Sequence, residues 1–384
     1  MNQLKRITAA AIAVAAISAG TASAQIRGIS LPPSGDNQKA KVVQYIGPVK
    51  LAVEYSSPDV TGPQGEDRKG KIWGALVPYG LSDLGYGPCK ECPWRAGANE
   101  NTIFTVSHDV KVEGKALAAG SYGLHMIPGN DEWVVIFSND STSWGSYTYN
   151  PAEDALRVKV KPAKAEYNEW LTYEFTDRDP DHAVLALKWE ELAIPLSITV
   201  DDVNDLYLAQ IRQELRSYPG FTAENWRAAA RFCLDRKINL AEALQWAETA
   251  VTGVRGGQGE ESFNTYMTLA DAQEANGKAA DAAASRKKAL AHPSASVIDI
   301  HMYGRTLQIA GKHKEALAIF EMNAKRNPGK WPVEIGLARG YSSVGDHKKA
   351  VEHANLAVKS APTPANKQNA ELVLKQVEDA AKKK

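Results

Sequence analysis

YGRTLQIAGKHKEALAIFEMNAKRNP, residues 303–328, aligns position for position with LARGYSSVGDHKKAVEHANLAVKSAP, residues 337–362. The offset is 34 residues, and a looser copy, LADAQEANGKAADAAASRKKALAHP, precedes both at 269–293. The same interval separates Gly277, Gly311 and Gly345, then Ala282, Ala316 and Ala350, and carries Pro328 to Pro362. Each feature has a physical reason. A glycine accepts the left-handed backbone that ends a helix and starts a reversal. An alanine lets two helix axes approach, and a proline cannot continue a helix, so it closes the unit. Apolar residues between these markers recur at helical spacing. The pattern predicts stacked helix pairs, each burying its apolar face only against its neighbours.

Period, turn glycine, small alanine and closing proline together resemble tetratricopeptide repeats. The resemblance implies a TPR-like α-solenoid over 201–384, with a concave groove that receives an extended or helical segment of a protein partner. Upstream, FTAENWRAAARFCLDRK (221–237) and NLAEALQWAETAV (239–251) predict a further helix pair at a slipped period, followed by the loop VRGGQGEES. Beyond Pro364, ANKQNAELVLKQVEDAAKKK reads as a closing helix with a polar face, and its basic tail as a solvated end.

Residues 38–200 follow a different period. VKLAVEY, NTIFTVSHDVKV, GSYGLHMIPG, EWVVIFS, ALRVKVKP, EWLTYEFTD and AVLALKWEELAIPLSITV read as strands parted by turns such as Pro128-Gly129-Asn130-Asp131. Alternation such as Leu171, Tyr173 and Phe175 against Thr172 and Glu174 predicts antiparallel sheets, and this many strands predict a β-sandwich. The absence of intervening helical patterns argues against a doubly wound nucleotide-binding fold.

The chain opens with MNQLKR, a small-residue apolar run and Ala22-Ser23-Ala24, the pattern of a signal peptide over 1–24 cut before Gln25. Residues 25–37 then form a linker. No segment reads as a membrane span. Export to the periplasm, or secretion, is the expected location, and Gln25 in place of a cysteine argues against a lipid anchor. Lys+Arg and Asp+Glu balance at 45 each, so nucleic acid is not an expected partner. Three cysteines, Cys89, Cys92 and Cys233, are too few for a disulfide-built scaffold.

KGKIWGALVPYG, WRAGANENT, LAAGSYGLHMIPG, EWVVIFS, WGSY, ALRVKVKP, LTYEF and LKWEELAIPLSI resemble, in this order, the secreted bacterial proteins of domain-of-unknown-function family 2911. The resemblance covers about residues 38 to 200. It implies an exported β-domain, sometimes followed by helical repeats, and carries no settled activity. This sequence departs from the family pattern between Tyr79 and Trp94, where LSDLGYGPCKECP is inserted, so a role for its cysteines is not inherited.

Cys89 and Cys92 have redox-type spacing, yet Gly87, Pro88 and Pro93 place them in a loop rather than at a helix start. A structural disulfide that shapes the turn presenting Trp94 and Arg95 is the leading reading; thiol exchange, or zinc with His108 and His125, are the others. Cys233 reads as a small core residue within a helix. Arg95, Asn99, Glu100 and Asn101 form a polar cluster entering TIFTV. A planar cation beside a carboxylate and amides suits an anionic or hydroxylated ligand, and the structural alternative is a buried Arg95–Glu100 pair. His125 alternates with Gly123 and Ile127 on one strand face, opposite Tyr122, Leu124 and Met126. It is either a hydrogen-bonded structural imidazole or a general base. Loop-borne Trp94, Trp144 and Tyr147 suit stacking on a ligand, or packing on a sheet edge, while Trp133 and Trp189 read as core. Gly-x-Ser-x-Gly, the phosphate-cradling glycine loop and His-Glu-x-x-His are all missing from the sequence.

The expected protein is an exported binding or scaffold protein. Its solenoid takes a protein partner, and its β-domain takes a second partner, a small molecule or a carbohydrate near Trp94, Arg95, Asn99, Glu100, Trp144 and Tyr147. No cofactor and no metal are expected. Two rivals stand beside it: an enzyme using Glu100 and His125 as acid/base with Arg95 fixing an anion, and a thiol-redox protein using Cys89 and Cys92.

Overall fold

A computed structural model describes residue 35 and residues 37–253 and 259–382. The signal-peptide segment 1–24 lies outside the described residues, as do most of the linker and the first five residues, 254–258, of the VRGGQGEES loop. The chain divides into two compact units between Tyr207 and Leu208, inside the first helix and later than the composition change at Val200.

The first unit contains β1 (Gln38–Ile46), β2 (Val49–Ser57), β3 (Thr102–Val106), β4 (Val110–Val112), β5 (Lys115–Leu117), β6 (Gly120–Ile127), β7 (Trp133–Ser138), β8 (Asp154–Val160), β9 (Ala163–Thr176) and β10 (His182–Thr199). They form two antiparallel sheets, ordered β1-β2-β3-β6-β7-β8 and β5-β4-β10-β9. The β1–β2 hairpin is closed by two residues, Gly47 and Pro48, between the Ile46–Val49 pair. Gly47 takes φ 56°, the left-handed conformation such a turn favours.

NTIFTVSHDVKV, expected as one strand, is two. Lys50 N–H donates to Ser107 Oγ (2.8 Å) and Ser107 N–H to the Lys50 carbonyl (3.0 Å), which ends the ladder of β3. The chain then crosses at Ser107–Asp109 to start β4 in the other sheet. A local apolar pattern does not show such a crossing, because both halves keep the same alternation.

One apolar core draws on both sheets. Leu51, Phe104, Leu124 and Phe137 come from the six-stranded sheet, and Leu171, Leu185 and Ile198 from the four-stranded one. Burying each such side chain contributes about 1.5–3 kcal/mol. At one end Trp73, Trp94, Trp133 and Trp189 meet, with ring centroids 5.2 to 6.3 Å apart.

The second unit is helical: α1 (Val203–Leu215, which begins in the first unit), α2 (Ala223–Arg236), α3 (Leu240–Thr252), α4 (Phe263–Ala275), α5 (Ala279–Ala291), α6 (Val297–Ile309), α7 (His313–Arg326), α8 (Trp331–Ser343), α9 (His347–Lys359) and α10 (Pro364–Lys382). The repeat markers do what their chemistry predicts. Gly277, Gly311 and Gly345 turn α4 into α5, α6 into α7 and α8 into α9 with φ of 76°, 76° and 85°. Ala282, Ala316 and Ala350 are fully buried where paired helices meet. Ser262 and Ser296 start α4 and α6 with reciprocal capping boxes. Cys233 is buried in the core of this unit, and burial pushes its thiol up to about 11, so it is an inert packing residue. Among the described residues no helix is long and apolar enough to cross a membrane.

Candidate functional site

The loop 94–101 is built to hold a fixed shape. Trp94 and Met126 exchange backbone hydrogen bonds (2.8 Å each), so the loop continues the β6 ladder beyond the start of β3. The Ala96 carbonyl accepts from Thr102 Oγ1 (3.0 Å) and the Tyr173 hydroxyl (2.9 Å). Ala96 and Asn99 take positive φ, 52° and 56°. Trp94, half-buried, stacks inward on Trp189 within the tryptophan cluster.

The structure separates Arg95 from Glu100. Arg95 donates to the Asn99 carbonyl and lies over the Tyr147 ring, 4.9 Å from its centroid. A side chain on Gly145 would collide with the Arg95 guanidinium. Glu100 pairs instead with Lys39 (2.9 Å) and accepts from Ser56 Oγ (3.3 Å). Burial pushes its carboxyl up, but Lys39 and Ser56 outweigh that and hold it below the usual range. The expected structural alternative of an Arg95–Glu100 pair is therefore replaced by two pairings with partners remote in sequence.

His125 lies on the face of β6 opposite Leu124 and Met126, as its alternation predicts, yet it is only 1% exposed. Its cover is the loop 139–149. Gly123 makes the close approach possible, because a Cβ there would strike the Asp140 carbonyl and lie 3.2 Å from His125 Nε2. His125 Nδ1 bonds to Ser146 Oγ (2.9 Å), and its ring meets Tyr149 at 5.4 Å. Asn101 Nδ2 donates to Ser143 Oγ (2.9 Å) and the Asp140 carbonyl (3.2 Å). Arg95, Asn101 and His125 thus converge on one loop. Burial pulls the imidazole down to about 4, with Asp140 opposing and Arg95 assisting, so His125 is neutral at pH 7.

A recess of about 380 Å³ opens beside the cluster, lined by Lys39, Ser56, Glu100, Asn101 and Ser143 among others. Asn101 Oδ1 is buried without a hydrogen-bond partner among the described residues. His125 is not among the residues lining this recess, whereas Glu100 is.

The insertion forms a further layer. Cys89 N–H donates to the Tyr147 carbonyl (3.1 Å), Tyr86 meets the Tyr147 ring at 5.4 Å, and Ser82 pairs with Cys92 through two backbone bonds of 3.0 Å. Cys89 and Cys92 lie at disulfide distance and are buried. The insertion therefore rests on the loop that covers His125. Trp144 remains 56% exposed at the edge. Among the described residues no group of three or more His, Cys, Asp or Glu could hold a metal ion. Lys39, Ser143 and Ser146 escaped the sequence reading, since single polar residues in distant segments carry no spacing signal.

In the helical unit, a groove of about 540 Å³ lies between α4 and α6, with Met267, Met302 and Tyr303 on its walls. Ile298, Met302 and Ile309 of α6 are 50%, 57% and 78% exposed, an apolar stripe at helical spacing.

Fold and site together define a β unit followed by a helical-repeat solenoid. Residues 37–198 match the family described as protein of unknown function (DUF2911), and the helix pairs beyond them are tetratricopeptide-type repeats. No curated protein matches the chain. Solved structures similar to it include MamA, at 17% identity and TM-score 0.29, covering 39% of this chain and 84% of that one. YrrB, described as a TPR protein with an unusual peptide-binding site, is 20% identical with TM-score 0.29, covering 44% and 84%. A thermophilic TPR protein of Thermus thermophilus is 19% identical with TM-score 0.29, covering 44% and 90%.

Proposed function

We propose that this protein is an exported scaffold whose helical unit docks an amphipathic, basic segment of a protein partner. The observation that carries this is the exposed stripe Ile298, Met302 and Ile309 beside the groove between α4 and α6. Water-exposed apolar side chains in a row on one helix favour coverage by a partner. The groove adds charge selectivity: Asp271, Glu274, Asp299 and Glu315 line it against Arg286 and Lys312, an acidic excess. In this reading the β unit offers a second contact surface, around Trp144 and the recess at Glu100.

The test uses full-length protein and an amphipathic helical peptide in lysine-rich and glutamate-rich versions. The lysine-rich peptide is expected to bind, and Met302→Lys, which removes the apolar contact and repels the peptide charge, to weaken it at least tenfold, about 1.4 kcal/mol. The melting temperature should hold, because Met302 is exposed. Equal affinity for the variant, or preference for the glutamate-rich peptide, removes the groove from the reading. Export has its own measurement. Expressed with its N-terminal segment in a Gram-negative host, the protein should be recovered from the periplasm with Gln25 as its first residue, and an intact N terminus in the cytoplasm would refute export.

A further inference from the structure

Arg305 and Arg339 occupy the same position in successive copies, 34 residues apart. Stacking brings both into one recess of about 300 Å³ shared by α6, α8 and α10, with Gln308, Ser342, Ser343 and Gln376 around them. Among the described residues no carboxylate lines this recess. Four other arginines of the unit are ion-paired, Arg212 with Glu242, Arg227 with Glu224, Arg231 with Asp271 and Arg286 with Glu274, and Arg326 is spent on the carbonyls of Leu290, His292 and Pro293. Arg305 and Arg339 form no ion pair among the described residues. Arg305 donates to Gln308 Oε1 (2.5 Å), and the Gln308 amide is held by the Arg339 carbonyl (3.0 Å) and Ser343 Oγ. The Arg339 guanidinium itself has no protein acceptor among the described residues.

Both side chains are half-buried rather than extended into solvent. Burial, with the neighbouring Arg305 charge, pulls Arg339 below the usual arginine range. Two partly desolvated cations side by side without a counter-charge oppose folding. Surplus donors with a fixed fork geometry are what a phosphate or carboxylate group requires.

We propose that the recess between α6, α8 and α10 is a binding site for an oxyanion, the phosphate or carboxylate group of a ligand, held by Arg305 and Arg339. Ser342 and Gln376 are placed to add neutral donors. The site does not depend on peptide docking between α4 and α6.

The test measures thermal unfolding of the full chain at matched ionic strength in chloride, inorganic phosphate and acetate. Phosphate or acetate is expected to raise the melting temperature above chloride, as ligand binding to the folded state must. A response to phosphate alone assigns a tetrahedral group, and one to acetate alone a carboxylate. Arg339→Gln should raise the half-saturating anion concentration at least tenfold, while melting no lower than the parent in chloride because a like-charge contact is gone. Lys375→Gln, which removes one positive charge from α10 outside the recess, should keep the parent response. If neither anion stabilises the parent over chloride, or Arg339→Gln responds as the parent does, or Arg339→Gln melts lower in chloride, the site is overturned.

Discussion

Phe320→Ala is expected to destabilise the helical unit by about 3–5 kcal/mol, the range for emptying a large aromatic site in a core that cannot collapse. The ring is 1% exposed on α7, and three glycines make room for it. A Cβ on Gly304 of α6 would lie 2.5 Å from the ring, and one on Gly336 or Gly340 of α8 at 2.7 or 2.8 Å. Those glycines have no side chains that could turn into a void, so the hole would persist. The next copy solves the same packing problem differently. Thirty-four residues on, Ala354 stands at the Phe320 position, with Ala338 for Gly304 and Ala370 for Gly336, all fully buried. The bulk concentrated in one ring at Phe320 is spread over several smaller side chains in the next copy, including Leu374 at the Gly340 position. Urea unfolding of the full chain followed by far-ultraviolet circular dichroism measures the loss. Phe320→Leu should cost less than Phe320→Ala, and an alanine variant within about 1 kcal/mol of the parent would mean that the site relaxes.

The copies could be aligned from sequence because their markers act locally. A left-handed turn needs its glycine and a close helix contact its alanine, whatever lies beyond. The strands of alternating pattern were legible for the same reason. β1 was not: QKAKVVQYI is an edge strand whose exposed face mixes Lys39 and Lys41 with Val43 and Tyr45, and only Ile46 is fully buried, so its apolar alternation is weak. Helix α1 lies outside the 34-residue period and buries only Leu208 and Leu215.

The site was half legible. Alternation placed His125 on the face away from Leu124 and Met126, but its cover, Ser146 and the 139–149 loop, comes from beyond β7. Arg95 and Glu100 are five residues apart and opposite in charge, which makes them natural partners in a sequence reading. Their actual partners, Tyr147 and Lys39, are set by the tertiary path. Trp94 reads as a presented loop aromatic, whereas strand pairing with Met126 turns it onto Trp189.

Stability should fall as pH drops from about 6.5 toward 4, before most carboxylates titrate. The cause is one buried imidazole in each unit. His125, held to Ser146 beneath the 139–149 loop, is pulled to about 4 by burial. His301 on α6 packs against Phe320 at 5.6 Å, with its Nδ1 buried and unpartnered among the described residues. Burial, then Arg339 and Arg305, pull it to about 4 as well. Both folded-state values are depressed below the 6.5 of a free histidine, so the sign is fixed. Above pH 6.5 both states are neutral at these sites and nothing is gained or lost. Below it the unfolded chain binds a proton that the folded chain refuses, and folding loses free energy until the folded imidazole titrates near 4. A shift of about 2.5 units corresponds to about 3 kcal/mol per histidine, and by pH 5 about 2 kcal/mol of that has been lost. Glu100 and Asp140, whose carboxyls lie below their ordinary values, add their own loss only in more acid solution. Replacing His125 with Asn, whose amide can still reach Ser146, should flatten the pH dependence of the β unit between 7 and 5. Replacing His301 with Asn should do the same for the helical unit. Melting curves of the full chain and both variants at pH 7, 6 and 5 measure this, and variants that keep the parent slope would show that folding leaves the proton affinity of the two imidazoles unchanged.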